Sequence, residues 1–305
     1  MALAGTNATT VTTAANFIPE IWSDDIIAAY KSTLVAANKV TKINHVGKKG
    51  DTIHLPAPTR GTANAKTATN SVTIQVATDS NIDVVINKHY EYSRLIEDIA
   101  DIQALNSMRR HYTDDAGYQL AKQTDTDILA QFEGANGGVI GDNDWAGAYH
   151  LSAATTIAAY VDATSTAIAV NDFAIRYMMQ KLDDKDVPMD QRCIFIPPVA
   201  RNSVLGIDHY TSADFVSGRP VVNGVIGSIY GMDVLVTTNM GTTTTQSDRV
   251  ITMAHKSAVA FAEQMGVRTQ TQYKQEFLAD LLTADCIYGV AELRDDASVS
   301  LVVPA

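Results

Sequence analysis

The chain has 305 residues, of which 46% are hydrophobic and 19% charged, a composition typical of a soluble protein large enough for two lobes or one elaborated body. Its apolar runs are far shorter than a membrane span, and its formal net charge of −11 argues against a surface built to attract nucleic acid. The charge is uneven: residues 1–80 hold seven Lys or Arg against five Asp or Glu, which leaves −13 for the remaining 225 residues. A slightly basic N-terminal quarter on an acidic body suits contact with a neighbouring copy.

The first 45 residues are predicted to form a polar tail and a short amphipathic helix. Residues 1–16 lack the basic and apolar regions of a secretory signal. Pro19 suits the first turn of a helix, and Ile21, Ile26 and Tyr30 define an apolar stripe after it. Because only the polar tail precedes this helix, we expect its apolar face to be covered elsewhere, in this subunit or in another.

A long hairpin is predicted over residues 46–80. Strand-like alternation at 53–58 and at 72–76 flanks a tip of small and polar residues with almost nothing to bury. Long loops without a core of their own tend to be functional or bound to a partner. A catalytic lid is an alternative use, but the tip offers no catalytic cluster.

The longest periodic segment predicts a helix over residues 95–132. It follows a strand-like run at 82–93, and its apolar residues recur at helical spacing without an interrupting proline. Such a helix is about 50 Å long. The glycines at 134, 137 and 138 are expected to end it.

Alternating helices and strands are predicted for residues 150–255. Asn171 caps a helix that extends to about residue 182, and Pro197 and Pro198 stop a strand at 192–196. Glycines at 224, 227 and 231 precede a strand at 233–238 rather than the helix that a phosphate-binding loop requires. We interpret this stretch as a turn between strands.

A final group of strands is predicted at 258–262, 268–275, 286–290 and 299–303, so the chain belongs to the α+β class. Cys193 and Cys286 lie in apolar runs and are predicted to be buried thiols of a protein that folds in a reducing cytoplasm. A disulfide between them is the alternative.

The sequence offers no local signal for catalysis. Its seven histidines lack metal-ligand spacing, and no nucleophile, Walker or Rossmann motif occurs. Adjacent carboxylates such as Asp183 and Asp184 point to different helix faces and do not share a proton. We therefore predict no catalytic residue, no cofactor, no metal site and no enzymatic activity.

Taken in order, these parts resemble the major capsid proteins of tailed bacteriophages with the HK97-like fold. Residues 17–23, Phe-Ile-Pro-Glu-Ile-Trp-Ser, are similar to the N-terminal arm of that family, the hairpin to its extended loop, and the long helix to its spine helix. Segments 182–188, 192–198 and 227–239 are similar to parts of its axial domain. The resemblance covers nearly the whole chain from about Phe17.

The resemblance implies an order of domains and a function. The expected parts are a tail and arm (1–45), an extended loop (46–80), a peripheral domain (81–149 and 256–305) with the spine helix at 95–132, and an axial domain (150–255). The expected function is self-assembly, as pentamers and hexamers, into an icosahedral shell that encloses a double-stranded DNA genome. Such a protein is a virion component, assembled in the host bacterial cytoplasm without membrane contact.

Contacts between subunits are predicted in the loop and in the arm. The loop residues expected to pair with a neighbour's acidic surface are Lys48, Lys49, Arg60 and Lys66. The arm residues expected to pack on a neighbour are Phe17, Ile18, Trp22 and Ile26. No covalent cross-link through the loop lysines is expected.

Further partners are also implied by the resemblance. Because about 16 residues precede Phe17, a separate scaffolding protein is expected, together with a portal protein and, as an option, a decoration protein. The acidic body is expected to enclose DNA without sequence-specific binding.

Two alternatives remain open from the sequence. An encapsulin-like compartment shares the fold but carries enzyme cargo, and nucleic acid inside the native particle separates it from a virion. An α/β nucleotide-dependent enzyme built on residues 150–255 is the other alternative, and a small particle that binds a nucleotide distinguishes it.

Overall fold

The computed structural model describes residues 34–58, 61–69, 71–76, 79–98, 108–134, 147–161, 164–207, 227–243 and 246–305. The strands in these ranges are β1 (Thr41–Asn44), β2 (Thr52–Pro58), β3 (Asp79–Val85), β4 (Lys88–Glu97), β5 (Tyr149–Ala153), β6 (Thr156–Ala159), β7 (Arg192–Ile196), β8 (Ser228–Ile229), β9 (Met232–Val236), β10 (Arg249–His255), β11 (Val259–Lys274), β12 (Ala279–Glu292) and β13 (Ser298–Val303). The α-helices are α1 (Met108–Gly134), α2 (Asp172–Asp183) and α3 (Pro198–Leu205).

A four-stranded sheet supports the long helix α1. Its order is β1-β11-β12-β4, with β1 parallel to β11 and the other neighbours antiparallel. The helix buries Leu120, Ile128 and Phe132, which recur at helical spacing. Tyr288 of β12 donates its hydroxyl to Asp127 Oδ2 of α1 at 2.7 Å. Apolar burial and this hydrogen bond together fix the helix against the sheet.

A seven-stranded sheet forms the second part of the fold. Its order is β6-β5-β13-β10-β7-β9-β8, and β7 is parallel to β9. All five residues of β7 are buried, as expected for a central strand covered on both faces. The rings of Phe195 in β7 and Phe132 in α1 lie 5.3 Å apart between centroids. The two sheets therefore share one hydrophobic core.

Several predicted elements are confirmed. Asn171 caps α2 by accepting a hydrogen bond from the Ala174 N–H at 3.0 Å. The described part of the glycine-rich stretch, from residue 227, contains the turn between β8 and β9, in which Tyr230 and Gly231 have φ of 50° and 79°, as a two-residue hairpin turn requires. Cys193 and Cys286 are buried free thiols. None of the helices in the described ranges is long and apolar enough to cross a membrane.

The start of the long helix was predicted wrongly. Residues 95–97 belong to β4, where Leu95 pairs with Leu281 and Glu97 with Ala279. The described helix α1 covers 108–134. Apolar residues at 95 and 96 fit a helical period, but the ladder with β12 keeps them extended.

The second strand of the hairpin also differs from the prediction. β2 pairs with β3, residues 79–85, and residues 72–76 carry no ladder. The hairpin therefore has its regular part at residues 52–58 and 79–85, and the described tip residues, 61–69 and 71–76, form neither helix nor strand.

The last strand belongs to a different sheet from the one its predicted domain implies. Residues 256–305 were grouped with 81–149, but β13 pairs with β10 and β5 of the seven-stranded sheet. Its six residues are all buried, and a fully buried strand is stable only inside a covered sheet.

Candidate assembly surfaces

The base of the loop is held firmly by β11. The side-chain amide of Gln264 donates to the backbone carbonyl oxygens of Lys48 and Gly50 at 2.9 and 3.0 Å. The backbone carbonyl oxygen of Gln264 accepts from the Gly47 N–H at 3.2 Å. Ile53 and Leu55 of β2 pack on a buried apolar cluster that includes residues of β11. The loop therefore leaves the body from a fixed origin.

Gly289 of β12 lets the hairpin lie close to the four-stranded sheet. A Cβ at this position would lie 2.5 Å from the Val85 carbonyl oxygen and 3.0 Å from the Ile86 Cα. Both atoms belong to the backbone, so they cannot move aside as a flexible side chain would. The position therefore requires glycine for packing rather than for backbone conformation.

The tip of the loop exposes apolar side chains. Val72 is 70% exposed, and Ile74 and Val76 are each 87% exposed. Across the tip, Gln75 accepts from the Thr62 N–H at 2.9 Å and donates to the Thr62 carbonyl oxygen. These hydrogen bonds connect the two sides of the tip, while its three aliphatic side chains face solvent. Clustered apolar exposure of this kind marks interaction sites.

The predicted basic loop residues do not form one cluster. Lys48 and Lys49 are exposed at the base, and Lys66 is exposed at the tip, where its Nζ donates to the Thr67 carbonyl oxygen at 2.6 Å. Between them runs β2, a seven-residue strand that spans about 23 Å. Arg60 lies outside the described residues. Any ion pairs that these residues make with a partner are therefore spread along the loop.

The chain that leads out of the predicted arm is anchored by a buried carboxylate that no sequence pattern indicated. Asp125 of α1 is 1% exposed, and its Oδ1 accepts from the N–H groups of Val35 and Ala36 at 3.0 and 2.7 Å. Its Oδ2 accepts from the Asn239 side chain at 3.1 Å. One carboxylate thus joins the arm exit, the long helix and the segment after β9. Its partners lie about 90 and 114 residues away, so no local pattern signals it.

The arm residues predicted to bind a neighbour, Phe17, Ile18, Trp22 and Ile26, lie outside the described residues. The structure begins to describe the chain at residue 34. Lys39 then donates to Asp233 Oδ2 of β9 at 2.5 Å. The exit of the arm is thus held by an ion pair in addition to Asp125.

A buried carboxyl lies at the C-terminal end of α1. Glu133 is 8% exposed, and burial raises its pKa to about 7, against the smaller opposite effect of the hydrogen bond that its Oε1 accepts from the Gly241 N–H at 2.7 Å. Ser298 and Ser300 donate to the carbonyl oxygens of Phe132 and Glu133. Carbonyls in the last turn of a helix commonly lack intrahelical partners, and these two hydroxyls bond to such carbonyls.

Comparison with known proteins identifies the family. The profile of a family described as phage capsid protein matches residues 26–301. The chain belongs to this family. This capsid protein has the HK97-like fold and builds the shell of a phage. The match confirms the prediction of a phage capsid protein, and a search of curated proteins found no match.

Solved structures agree with the family assignment at the level of the fold. A chain from Mycobacterium phage Che8 superposes with a TM-score of 0.76 at 22% identity, over 94% of this chain and 97% of that one. A chain from the capsid of cyanophage P-SCSP1u gives 0.77 at 13%, over 99% and 96%. A chain from the capsid of a native GTA particle gives 0.64 at 13%, over 99% and 100%.

An enzyme of this sheet topology would bind its ligand at the carboxyl ends of β7 and β9, where the described lining residues include no carboxylate, histidine or cysteine. A cavity of about 190 Å³ lies at the carboxyl ends of β7 and β9 and is lined by Pro197, Pro198, Val199, Thr238, Met240 and Arg249. Cys193 of β7 is a poor nucleophile, since burial raises the pKa of its thiol to about 12. Among the described residues, no group of three or more His, Cys, Asp or Glu is placed to hold a metal.

Proposed function

We propose that this capsid protein forms the pentamers and hexamers of an icosahedral shell that encloses the double-stranded DNA of a tailed phage. In this proposal the loop and the N-terminal arm of each subunit bind the next subunit. The observation that carries the proposal is the tip of the loop, with Val72, Ile74 and Val76 between 70 and 87% exposed on a hairpin anchored at its base.

Burial of the tip provides a driving force for assembly. Covering a Val or Ile side chain stabilises by about 1.5–3 kcal/mol, so three of them supply on the order of 5 kcal/mol per loop before the entropy of association is subtracted. A loop that binds a different surface on its neighbour makes a heterologous contact, and such contacts close into rings when the rotation permits. Rings of five and six are the units that the proposal requires.

Charge complementarity supports the same arrangement. Lys48, Lys49, Arg60 and Lys66 belong to the N-terminal quarter of the chain, whose balance is positive, while residues 81–305 carry a balance of −13. We propose that the four basic side chains pair with the acidic surface of a neighbour. Exposed pairs stabilise by about 0–1 kcal/mol each, so they guide the contact more than they hold it.

An acidic body suits the inner wall of a shell that encloses DNA without binding it tightly, since tight binding of phosphates requires a surface with more Lys and Arg than Asp and Glu. We further propose that a separate scaffolding protein directs assembly in the host bacterial cytoplasm, that a portal protein occupies one vertex, and that the protein has no catalytic role. Residues 81–149 with 256–297 then form the peripheral domain, and residues 150–255 with β13 form the axial domain.

Electron microscopy of the purified protein, with and without its candidate scaffolding protein, tests the proposal. Uniform closed shells or rings of five and six subunits are expected. Small particles under both conditions would contradict it. Nucleic acid in particles isolated from infected cells is also expected, whereas particles filled with protein cargo would favour an encapsulin-like compartment.

A further inference from the structure

The cavity at the carboxyl ends of β7 and β9 is small and mostly apolar. Its volume of about 190 Å³ is below the roughly 300–1,000 Å³ of sites that enclose drug-sized ligands. Among its described lining residues, Pro197 and Met240 are buried and form the floor, whereas Val199 is 42% exposed at the rim. A cavity of this size and lining suits one large apolar side chain.

Arg249 adds a positive charge to this apolar cavity. In the described part of the chain its side chain bonds only to Thr242, whose hydroxyl oxygen accepts from Nη1 at 3.4 Å. By contrast, Arg192 donates to the Asp183 carboxylate at 2.7 Å. A guanidinium forms its strongest hydrogen bonds with a carboxylate. Arg249 is therefore suited to bind a carboxylate that another molecule supplies.

One wall of the cavity is held in place by α1. This wall belongs to residues 238–241, which follow β9. The Asn239 side chain donates to Asp125 Oδ2 at 3.1 Å, and the Gly241 N–H donates to Glu133 Oε1 at 2.7 Å. Both carboxylates belong to α1 and are buried. A wall that is already ordered loses less conformational entropy when a ligand binds.

We propose that this cavity binds a peptide segment of a partner protein, with one large apolar side chain in the cavity and a neighbouring carboxylate on Arg249. The apolar lining selects the side chain, and the guanidinium selects the charge. Thr238 lines the cavity and is exposed, so its hydroxyl can bond to a peptide group of the same segment. The ligand class is thus an acidic peptide with an apolar anchor residue.

The size of the cavity favours a short peptide over a second copy of this chain. A stable interface between folded proteins buries about 1,200–2,000 Å², and a site for one side chain and one ion pair buries far less. Such a site is weak by itself, but a shell of many subunits repeats it. A partner with several such segments then binds tightly through multivalency. The inference rests on the proposed function for this repetition, and it specifies the chemistry of a partner.

Methyl NMR of the unassembled subunit tests the site with a defined probe, the peptide acetyl-Asp-Phe-amide. The probe should shift the methyl signal of Met240, which lines the cavity, and leave that of Met189 unchanged, because Met189 is 72% exposed outside it. Replacing Asp by Asn or Phe by Ala in the probe should weaken binding at least about tenfold, since each removes one of the two contacts. A Met240 signal that does not respond to millimolar probe would overturn the inference.

Exchange of the charge at Arg249 tests the ion pair. Arg249→Gln should weaken binding of the probe at least about tenfold, because a charge-assisted hydrogen bond is lost. Arg249→Glu should instead prefer acetyl-Lys-Phe-amide to acetyl-Asp-Phe-amide. Arg201→Gln is the matched control, since Arg201 lies nearby in α3 but does not line the cavity, and it should leave the affinity unchanged. Equal affinity of all variants for the probe would overturn the role of Arg249.

Two further results would assign the cavity to a different occupant and overturn the inference. Sodium phenylacetate that binds as tightly as the peptide would indicate a site for small carboxylic acids. A Met240 signal that changes with subunit concentration in the absence of peptide would indicate a second copy of the chain. These measurements need no shells, so they are independent of the electron microscopy that tests the proposed function. Shells that form normally from subunits that do not bind the probe would overturn this inference alone.

Discussion

Apolar residues are buried at the joint between α1 and the two sheets, whereas they are exposed at the tip of the loop. At the joint, Phe132 is fully buried beside Phe195. At the tip, Ile74 is 87% exposed although its aliphatic side chain gains as much from burial. The joint completes its packing inside one subunit, whereas the tip requires a partner. Changes at the joint should thus alter the stability of the subunit, and changes at the tip should alter assembly.

Phe132→Ala tests the joint. Removing a buried aromatic ring costs about 3–5 kcal/mol, because the cavity between α1 and β7 cannot close. Urea unfolding of the unassembled subunit should show this loss. A loss below about 1 kcal/mol would mean that the joint does not support the subunit core.

Glu133 should make the stability of the subunit depend on pH. Its pKa is about 7 in the folded chain against an ordinary 4.5, so the unfolded chain loses its proton first as the pH rises. Stability should therefore fall between about pH 4.5 and pH 7, by about 3 kcal/mol in total, and change little above that range.

Urea unfolding at pH 5 and pH 8 measures this effect, and Glu133→Gln is the control because its amide oxygen can still accept from Gly241. The pKa of Glu292 is also raised to about 7, by partial burial and by the neighbouring Asp295. The glutamine variant should thus lose the larger part of the pH dependence and keep a smaller part. An unchanged slope would show that Glu133 is not the group responsible.

Ile74→Asp tests the tip. The subunit should unfold at the same urea concentration as the wild type, because the side chain contacts solvent. Assembly should fail or require much higher protein concentration, since the contact loses about 1.5–3 kcal/mol of apolar burial and gains a buried charge. Light scattering during assembly measures this. Val46→Asp, at a position 56% exposed near the loop base, is the control for charge alone.

Gly289→Ala probes the connection between the two regions. The new methyl group would meet the backbone of Val85 and Ile86, and relief of such overpacking costs about 1–3 kcal/mol. Gly117→Ala in α1 is the matched control, because a Cβ there meets no atom within 4 Å and alanine favours the helix by about 1 kcal/mol. In thermal unfolding, the melting temperature of Gly117→Ala should be higher than that of the wild type, and that of Gly289→Ala should be lower. Equal stability of the two variants would contradict the close approach.

Local patterns predicted much of the fold, and contacts between distant residues account for the errors. Asn171 as a helix cap and the buried strand before Pro197 depend on neighbours in sequence, so they could be predicted. The extended state of Leu95 depends on Leu281, 186 positions away, and the role of Asp125 depends on Ala36 and Asn239. These partners are specified only when the chain has folded.

The loop shows a different limit of prediction. Residues 72–76 have a strand pattern that was predicted to pair within the hairpin, yet β3 takes that place. The pattern is still informative, because its apolar residues Val72, Ile74 and Val76 are the ones that the tip exposes. A single sequence indicates that a segment is suited to a strand but does not indicate which chain supplies the neighbour.

Neutralising the four basic loop residues should have the smallest effect. Exposed ion pairs contribute about 0–1 kcal/mol each, and Lys48 and Lys49 lie far along the loop from Lys66, so their effects should add. With all four changed to glutamine, shells should still form but dissociate at lower urea concentration. The difference from the wild type should shrink at 1 M salt, where the screening length is about 3 Å. Shells of unchanged stability at low salt would show that the loop binds through its apolar tip alone, and that its positive charge has no role in the contact.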